Sequence, residues 1–180
     1  MTTEEYNSMK DGYLELITKI LIESGGLNPS ITLLGVHKED GKSAIVHVPI
    51  PSKYMDTEEG KDEFVDDVVP QIADKVRKEF DINAVAWASE AWLREADTKN
   101  ISKEELMSSW KKLPVKKEVL IISIESEEGV QTTIKEILRK GKQVNEDGEL
   151  IDNIELLDIP KFEGTNAAEG RFTGLYKKFS

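Results

Sequence analysis

The 180 residues, 38% hydrophobic and 33% charged, suffice for one domain that buries roughly 70% of its unfolded surface. The formal charge of −11, from 24 basic against 35 acidic residues, disfavours binding along a nucleic-acid backbone, which needs clustered lysine and arginine. With no cysteine, disulfides, thiolate-zinc sites and thiol nucleophiles are excluded.

Met1-Thr2-Thr3-Glu4-Glu5 lacks the basic-then-apolar pattern of a secretory signal, and no apolar run reaches the ~20 residues of a membrane span. The expectation is a soluble, cytoplasmic protein. Thr2 and Glu5 have capping-box spacing. Tyr6, Met9, Tyr13, Leu16, Ile17, Ile20 and Leu21 then recur with helical period, and Gly25-Gly26 ends the helix.

Past the Asn28-Pro29 turn, Ile31 to Lys38 and Ser43 to Ile50 flank Asp40-Gly41, which predicts a β-hairpin. A two-residue turn pairing Glu39 with Lys42 sets Leu33, Gly35 and His37 on one inward face with Ala44, Val46, Val48 and Ile50. His47 then points to the opposite face beside Leu34, Val36 and Ile45.

A second helix is expected from about Thr57 to Phe80, with an apolar stripe of Phe64, Val65, Val68, Val69, Ile72, Ala73, Val76 and Phe80. Pro70 inside it should kink or divide it. Two central strands follow. Ala84 to Glu95 interleaves tiny and very large residues, and Val119 to Ile124 is apolar without alternation, the mark of a strand buried on both faces. Between them Ser102 and Glu105 form a second capping box for a short helix ending near Trp110.

Val130 to about Gln143 reads as a strand after the Glu127-Glu128-Gly129 turn, although Ile134, Ile137 and Leu138 also suit a helix. After the Asp147-Gly148 turn, Asn153 to Ile159 reads as a short strand. Gly170 to Phe179 is expected to pair at a sheet edge, where its lysines would discourage aggregation. With no internal repeat or linker, residues 1–180 read as a single domain.

Glu90 is the residue best placed for chemistry. On a strand it shares a side with Ala86, Ala88 and Trp92, and burial there would raise its pKa and suit it to general acid-base work or to binding a cationic or hydrogen-bonding ligand beside the indole. Glu90, Trp92 and His37 therefore form the candidate ligand-binding set. The structural alternative pairs Glu90 with Arg94 or Lys116 at the strand end.

His37 and His47 lack the spacing and number of donors of a metal site. No metal or cofactor is expected. Glu125-Ser126-Glu127-Glu128 and Asn145 to Glu149 read as polar turns rather than calcium loops. Asp56, Glu58, Glu59, Asp62, Glu63, Asp66, Asp67 and Asp74 could imitate nucleic-acid phosphates. At one charge per ~3.4 Å of helix, against one per ~1.7 Å of duplex, they fit a solvated face matched to the helix dipole better. Lys135, Arg139, Lys140 and Lys142 form a basic cluster, read as a solvated rim or a docking site for an acidic surface.

The stretch Ala84-Val85-Ala86-Trp87-Ala88-Ser89-Glu90-Ala91-Trp92, followed by Lys117-Glu118-Val119-Leu120-Ile121-Ile122-Ser123-Ile124-Glu125, resembles small uncharacterised α+β proteins encoded by bacteria and bacteriophages. The resemblance implies a small-residue strand beside a hydrophobic one and carries no catalytic residue to transfer.

The expected fold is α+β, a mostly antiparallel sheet of about five to six strands with two main helices packed on it. The expected function is that of a non-enzymatic accessory or protein-interaction protein, with a protein partner or self-association and no direct contact with nucleic acid or membrane. The alternatives are a small-molecule-binding protein or carboxylate-dependent hydrolase using Glu90, and an acidic nucleic-acid-mimicking inhibitor.

Overall fold

The computed structural model describes residues 3–94, 102, 104, 115–159 and 174–179. Among these residues six antiparallel strands form one sheet: β1 (Ser30–His37), β2 (Ser43–Pro49), β3 (Phe80–Arg94), β4 (Val115–Ser126), β5 (Gly129–Val144) and β6 (Leu150–Asp158). Their order across the sheet is β2-β1-β3-β4-β5-β6. The long helix α1 (Thr3–Ser24) covers one face, and α2 (Glu58–Glu63), α3 (Val69–Val76) and a terminal α4 (Leu175–Phe179) lie on the other. The arrangement is the expected α+β one, with an apolar core on each side of the sheet. Thr2 of the first capping box, and Glu105 with the rest of the expected helix to Trp110, lie outside the described residues.

On the first face, α1 sets the buried Tyr6, Tyr13, Ile17 and Leu21 against Ala84, Ala86 and Ala88 of β3 and Leu120, Ile122 and Ile124 of β4. The alanines let the helix approach the strand closely, and the larger β4 residues fill the space beside it. Gly25 stops α1 at φ 74°, its N–H bonding Leu21 O at 3.0 Å. A Cβ there would lie 2.8 Å from Asp152 N, so glycine also lets the helix end abut β6.

The hairpin forms with a longer loop than a two-residue turn. His37 N bonds Lys42 O at 2.8 Å and the strands pair Val36 with Ser43, Leu34 with Ile45 and Thr32 with His47. This register is displaced from the Glu39–Lys42 one by an even number of residues, so every side chain keeps its expected face. β1 meets β3 through a bulge at Asn83, opposite Leu34 and Gly35. A Cβ on Gly35 would stand 2.3 Å from Asp81 O, which explains the glycine.

The second helix begins as expected, with Thr57 Oγ1 accepting the Gly60 N–H at 3.0 Å. Ahead of Pro70 the chain widens into a π-helical turn, Phe64–Val68, in which the Val69 N–H reaches back to Phe64 O. Proline cannot donate to Asp66 and its ring would crowd that carbonyl, so the wide turn accommodates it. The helix ends at Val76, and Phe80 opens β3 instead of closing the helix. Phe64, Val65, Val69 and Ala73 pack with Ile31, Leu33, Ile82 and Val85 in the second core.

β4 is buried on both faces, as its unbroken apolar run predicts, and Gly129–Val144 is a strand. β6 starts three residues before the expected Asn153. The C-terminal expectation is corrected: Leu175–Phe179 is a short helix whose Leu175 and Phe179 enter the second core, and among the described residues it pairs with no strand.

Candidate functional site

Glu90 does not stand alone in a pocket. It lies on the α1 face of β3, two residues beyond Ala88, where the loop following α1 crosses the sheet. Its Oε1 accepts the Leu27 N–H at 2.5 Å and its Oε2 accepts from Arg139 Nη2 at 2.6 Å. The partner among the described side chains is this arginine from β5, while the side chains of the expected partners, Arg94 and Lys116, lie outside the described residues.

Arg139 is the hub of the cluster. Its Nε donates to Glu118 Oε2 at 2.9 Å, Nη1 to Gly25 O at 2.8 Å and to Asp152 Oδ2 at 2.9 Å, and Nη2 to Glu90 and to Glu118 Oε1, each at 2.6 Å. A guanidinium has five N–H donors, and these five contacts use them all. Lys142 adds a second cation to Asp152 at 2.6 Å.

Arg139 and Lys142 stand three apart and would face opposite sides of a regular strand. The bulge in β5 between them, with Gly141 at φ 108°, turns both toward Asp152. One ionic latch thereby ties the end of α1 to β3, β4, β5 and β6.

The electrostatics follow from this crowding. Burial, with Glu118 adding repulsion, raises the Glu90 carboxyl above its ordinary value against the opposing pull of the Leu27 N–H and Arg139. Glu118 is held below the ordinary range chiefly by its hydrogen bond from Arg139, and Asp152 chiefly by Lys142. Glu118 raises Arg139 in turn. Within the cluster a carboxyl held above its ordinary value thus stands beside one held below it, with Arg139 bonded to both.

Trp92 follows Glu90 on the same strand but is 62% exposed, so its indole does not close a binding cavity over the carboxylate. His37 is not brought near. It pairs with Phe80, ten residues before Glu90 on β3, a separation of roughly 33 Å at strand rise. There His37 packs edge-on against the Phe80 ring at 5.2 Å between centroids and faces Asp40 at 3.6 Å. His47 Nδ1 lies 3.1 Å from Thr32 Oγ1 on the other face. Of the three candidate residues, only Glu90 and Trp92 are neighbours.

The basic cluster is not a free rim. Lys135 pairs with Asp158, Lys140 with Glu155, and Lys142 and Arg139 with Asp152, so β5 and β6 form a charge-matched ladder. The acidic helix face is likewise interrupted, by Lys61 on Glu58 at 3.0 Å and Lys178 on Asp66 at 2.9 Å.

A second polar site was hidden in a stretch read as a turn. Glu125 belongs to β4 and is 3% exposed. Its two oxygens accept the Gly174 N–H at 2.9 Å and the Tyr176 N–H at 3.0 Å, fixing the start of α4. Arg77 holds the other end, donating from Nε to Phe179 O at 3.0 Å and from Nη2 to Lys178 O. Lys178 Nζ takes Val65 O at 3.0 Å, a carbonyl the π-helical turn leaves without its usual helical donor.

Among the described residues, no three histidine, aspartate or glutamate side chains gather where they could hold a metal ion, and no helix is long and apolar enough to cross a membrane. Among the described residues the surface clefts include two small ones. One of about 240 Å³ lies between the end of α1 and the β5–β6 turn, and one of about 50 Å³ lies beside Ser30, Trp87 and Ser89. No family model matches the chain, and no curated protein and no solved structure matches it.

Proposed function

We propose that the chain is a non-enzymatic accessory protein that works by protein-protein interaction or self-association, with the bacterial or phage source that the sequence resemblance implies. The observation that carries this reading is the saturation of Arg139. Its five donors meet Glu90, Glu118, Asp152 and the end of α1, which leaves the best catalytic candidate engaged in holding a helix to a sheet. Both clefts are also smaller than the ~300–1,000 Å³ of typical small-molecule sites.

The ligand-binding or hydrolase reading through Glu90 keeps one feature in its favour, the raised pKa. Burial and Glu118 account for that shift without a substrate. Nucleic-acid mimicry requires an unbroken acidic stripe, and Lys61 and Lys178 sit within it.

Native mass spectrometry of the gently purified full chain tests the reading, with Glu90→Gln in parallel. A homo-oligomer or a stoichiometric protein complex that survives Glu90→Gln supports it. A reproducible added mass of small-molecule size that disappears in Glu90→Gln overturns it, as does a bare monomer throughout.

A further inference from the structure

We propose that the cleft between the end of α1 and the β5–β6 turn receives a lysine or arginine side chain presented by a protein partner. The inference rests on the interaction reading above and names the surface and the chemistry of its partner. Size is the first argument. At about 240 Å³ the cleft is below the range of cofactor and metabolite sites but ample for one long side chain.

Its lining is the second argument. Ile22, Val144 and Ile151 supply an apolar wall, and Glu23, Glu146 and Asp147 supply carboxylates. A lysine or arginine has the matching division, an apolar stem and a cationic head. Glu23 has a loose pair with Lys19 at 3.6 Å, while Glu146 and Asp147 have no cationic partner among the described residues.

The lip of the cleft is the third argument. Val144 and Leu150 face each other across the β5–β6 register and are 66% and 68% exposed, the highest values among the described large apolar residues. A partner whose basic side chain enters the cleft would cover this pair, combining an apolar contact with a charge contact in one place. The turn that bears the acids is well braced. Gly148 N bonds Asn145 O at 3.0 Å and Glu149 N bonds Asn145 Oδ1 at 2.8 Å, so docking needs little ordering of the backbone.

The first test is a titration of the ¹⁵N-labelled full chain with N-acetyl-arginine methylamide, followed by amide shifts, with the neutral N-acetyl-citrulline methylamide as control. The expected result is saturable shifts confined to residues 22–23 and 143–151, at least fivefold weaker binding to Glu146→Gln/Asp147→Asn, and at least fivefold weaker binding of citrulline. Equal response to citrulline, undiminished binding by the double variant, or matching shifts along 58–67 overturns the proposal.

The same double variant is then compared with wild type by native mass spectrometry. Loss of the partner complex in the variant supports the proposal. A complex that persists undiminished overturns the role of the cleft and leaves the interaction reading standing. Arginine binding at the cleft with no protein complex under any condition overturns the protein partner and the interaction reading together.

Discussion

Replacing Glu125 by glutamine should release the C-terminal helix while leaving the sheet intact. Glu125 is 3% exposed and its two oxygens each accept one backbone N–H, from Gly174 and Tyr176. Glutamine keeps one acceptor and turns an NH₂ toward the other donor, so one charge-assisted hydrogen bond is lost, a second is weakened to a neutral one, and a buried N–H is left unpaired. At ~1.5–3 kcal/mol for a hydrogen bond to a charged group and ~1–3 kcal/mol for an orphaned buried donor, the loss is about 2–4 kcal/mol.

A five-residue helix cannot hold itself together in water, so that loss acts directly on the docking of Leu175 and Phe179. Amide exchange read by mass spectrometry over residues 174–179 should accelerate by about 30- to 1,000-fold, the equivalent of 2–4 kcal/mol. Exchange in β3 and β4 should move far less. Unchanged protection at Tyr176, or a uniform acceleration through the whole chain, would refute the clamp.

Gly35→Ala should destabilise the chain by about 2–3 kcal/mol in urea denaturation, because the new methyl would meet the backbone carbonyl of Asp81 at 2.3 Å; a change within 0.5 kcal/mol contradicts the close approach. Burial pushes the Tyr13 phenol up to about 12, with Thr32 opposing. The native state therefore keeps a proton that the unfolded state releases above pH 10, and stability should fall by about 2–3 kcal/mol as the pH rises from 10 to 12. Tyr13→Phe should flatten that decline. On the acid side, Glu118 and Asp152 are lowered, so their stabilisation is complete above their ordinary values and is lost as the pH falls through the lowered ones. Glu90 is raised, so its contribution runs the other way and declines as the pH climbs from its ordinary value through the raised one. Urea midpoints against pH should show a shallower acid-side loss in Glu118→Gln and a shallower decline above the ordinary carboxylate range in Glu90→Gln.

Much of the fold is legible in local pattern. Asp40-Gly41 between two β-branched runs marks the hairpin, the unbroken Val119–Ile124 run marks the central strand, and Thr57 with Pro70 marks where the second helix starts and divides. The exact turn at Asp40-Gly41 was not, since a loop longer by an even count preserves the faces and leaves no trace in the alternation. The helix at Leu175–Phe179 was not legible either. It is too short for periodicity and takes its shape from Glu125 and Arg77, far away in the chain.

The candidate site was half legible. A carboxylate among alanines and tryptophans singles out Glu90, which burial shifts upward and which sits in an ion pair, as the structural alternative expects, though with Arg139. Its partner lies 49 residues away on a strand two positions across the sheet, and Arg139 and Lys142 reach Asp152 together only because β5 bulges between them. Strand alternation assigns those two residues to opposite faces, so reading a basic cluster as a rim was the natural consequence of assuming a regular strand. His37 was joined to Glu90 by chemistry alone, and the β1–β3 register sets it at the far end of the sheet.

The most direct test of the claim that Glu90 serves the latch is a double-mutant cycle in urea, using Glu90→Gln, Arg139→Met and the pair together at pH 7. Both side chains are less than a third exposed and their atoms stand 2.6 Å apart, so Arg139→Met should cost about 2–4 kcal/mol and the coupling with Glu90 should be at least about 1 kcal/mol. Coupling below about 0.3 kcal/mol, with the two single losses simply additive, would contradict the latch and return Glu90 to the set of residues free to serve a ligand.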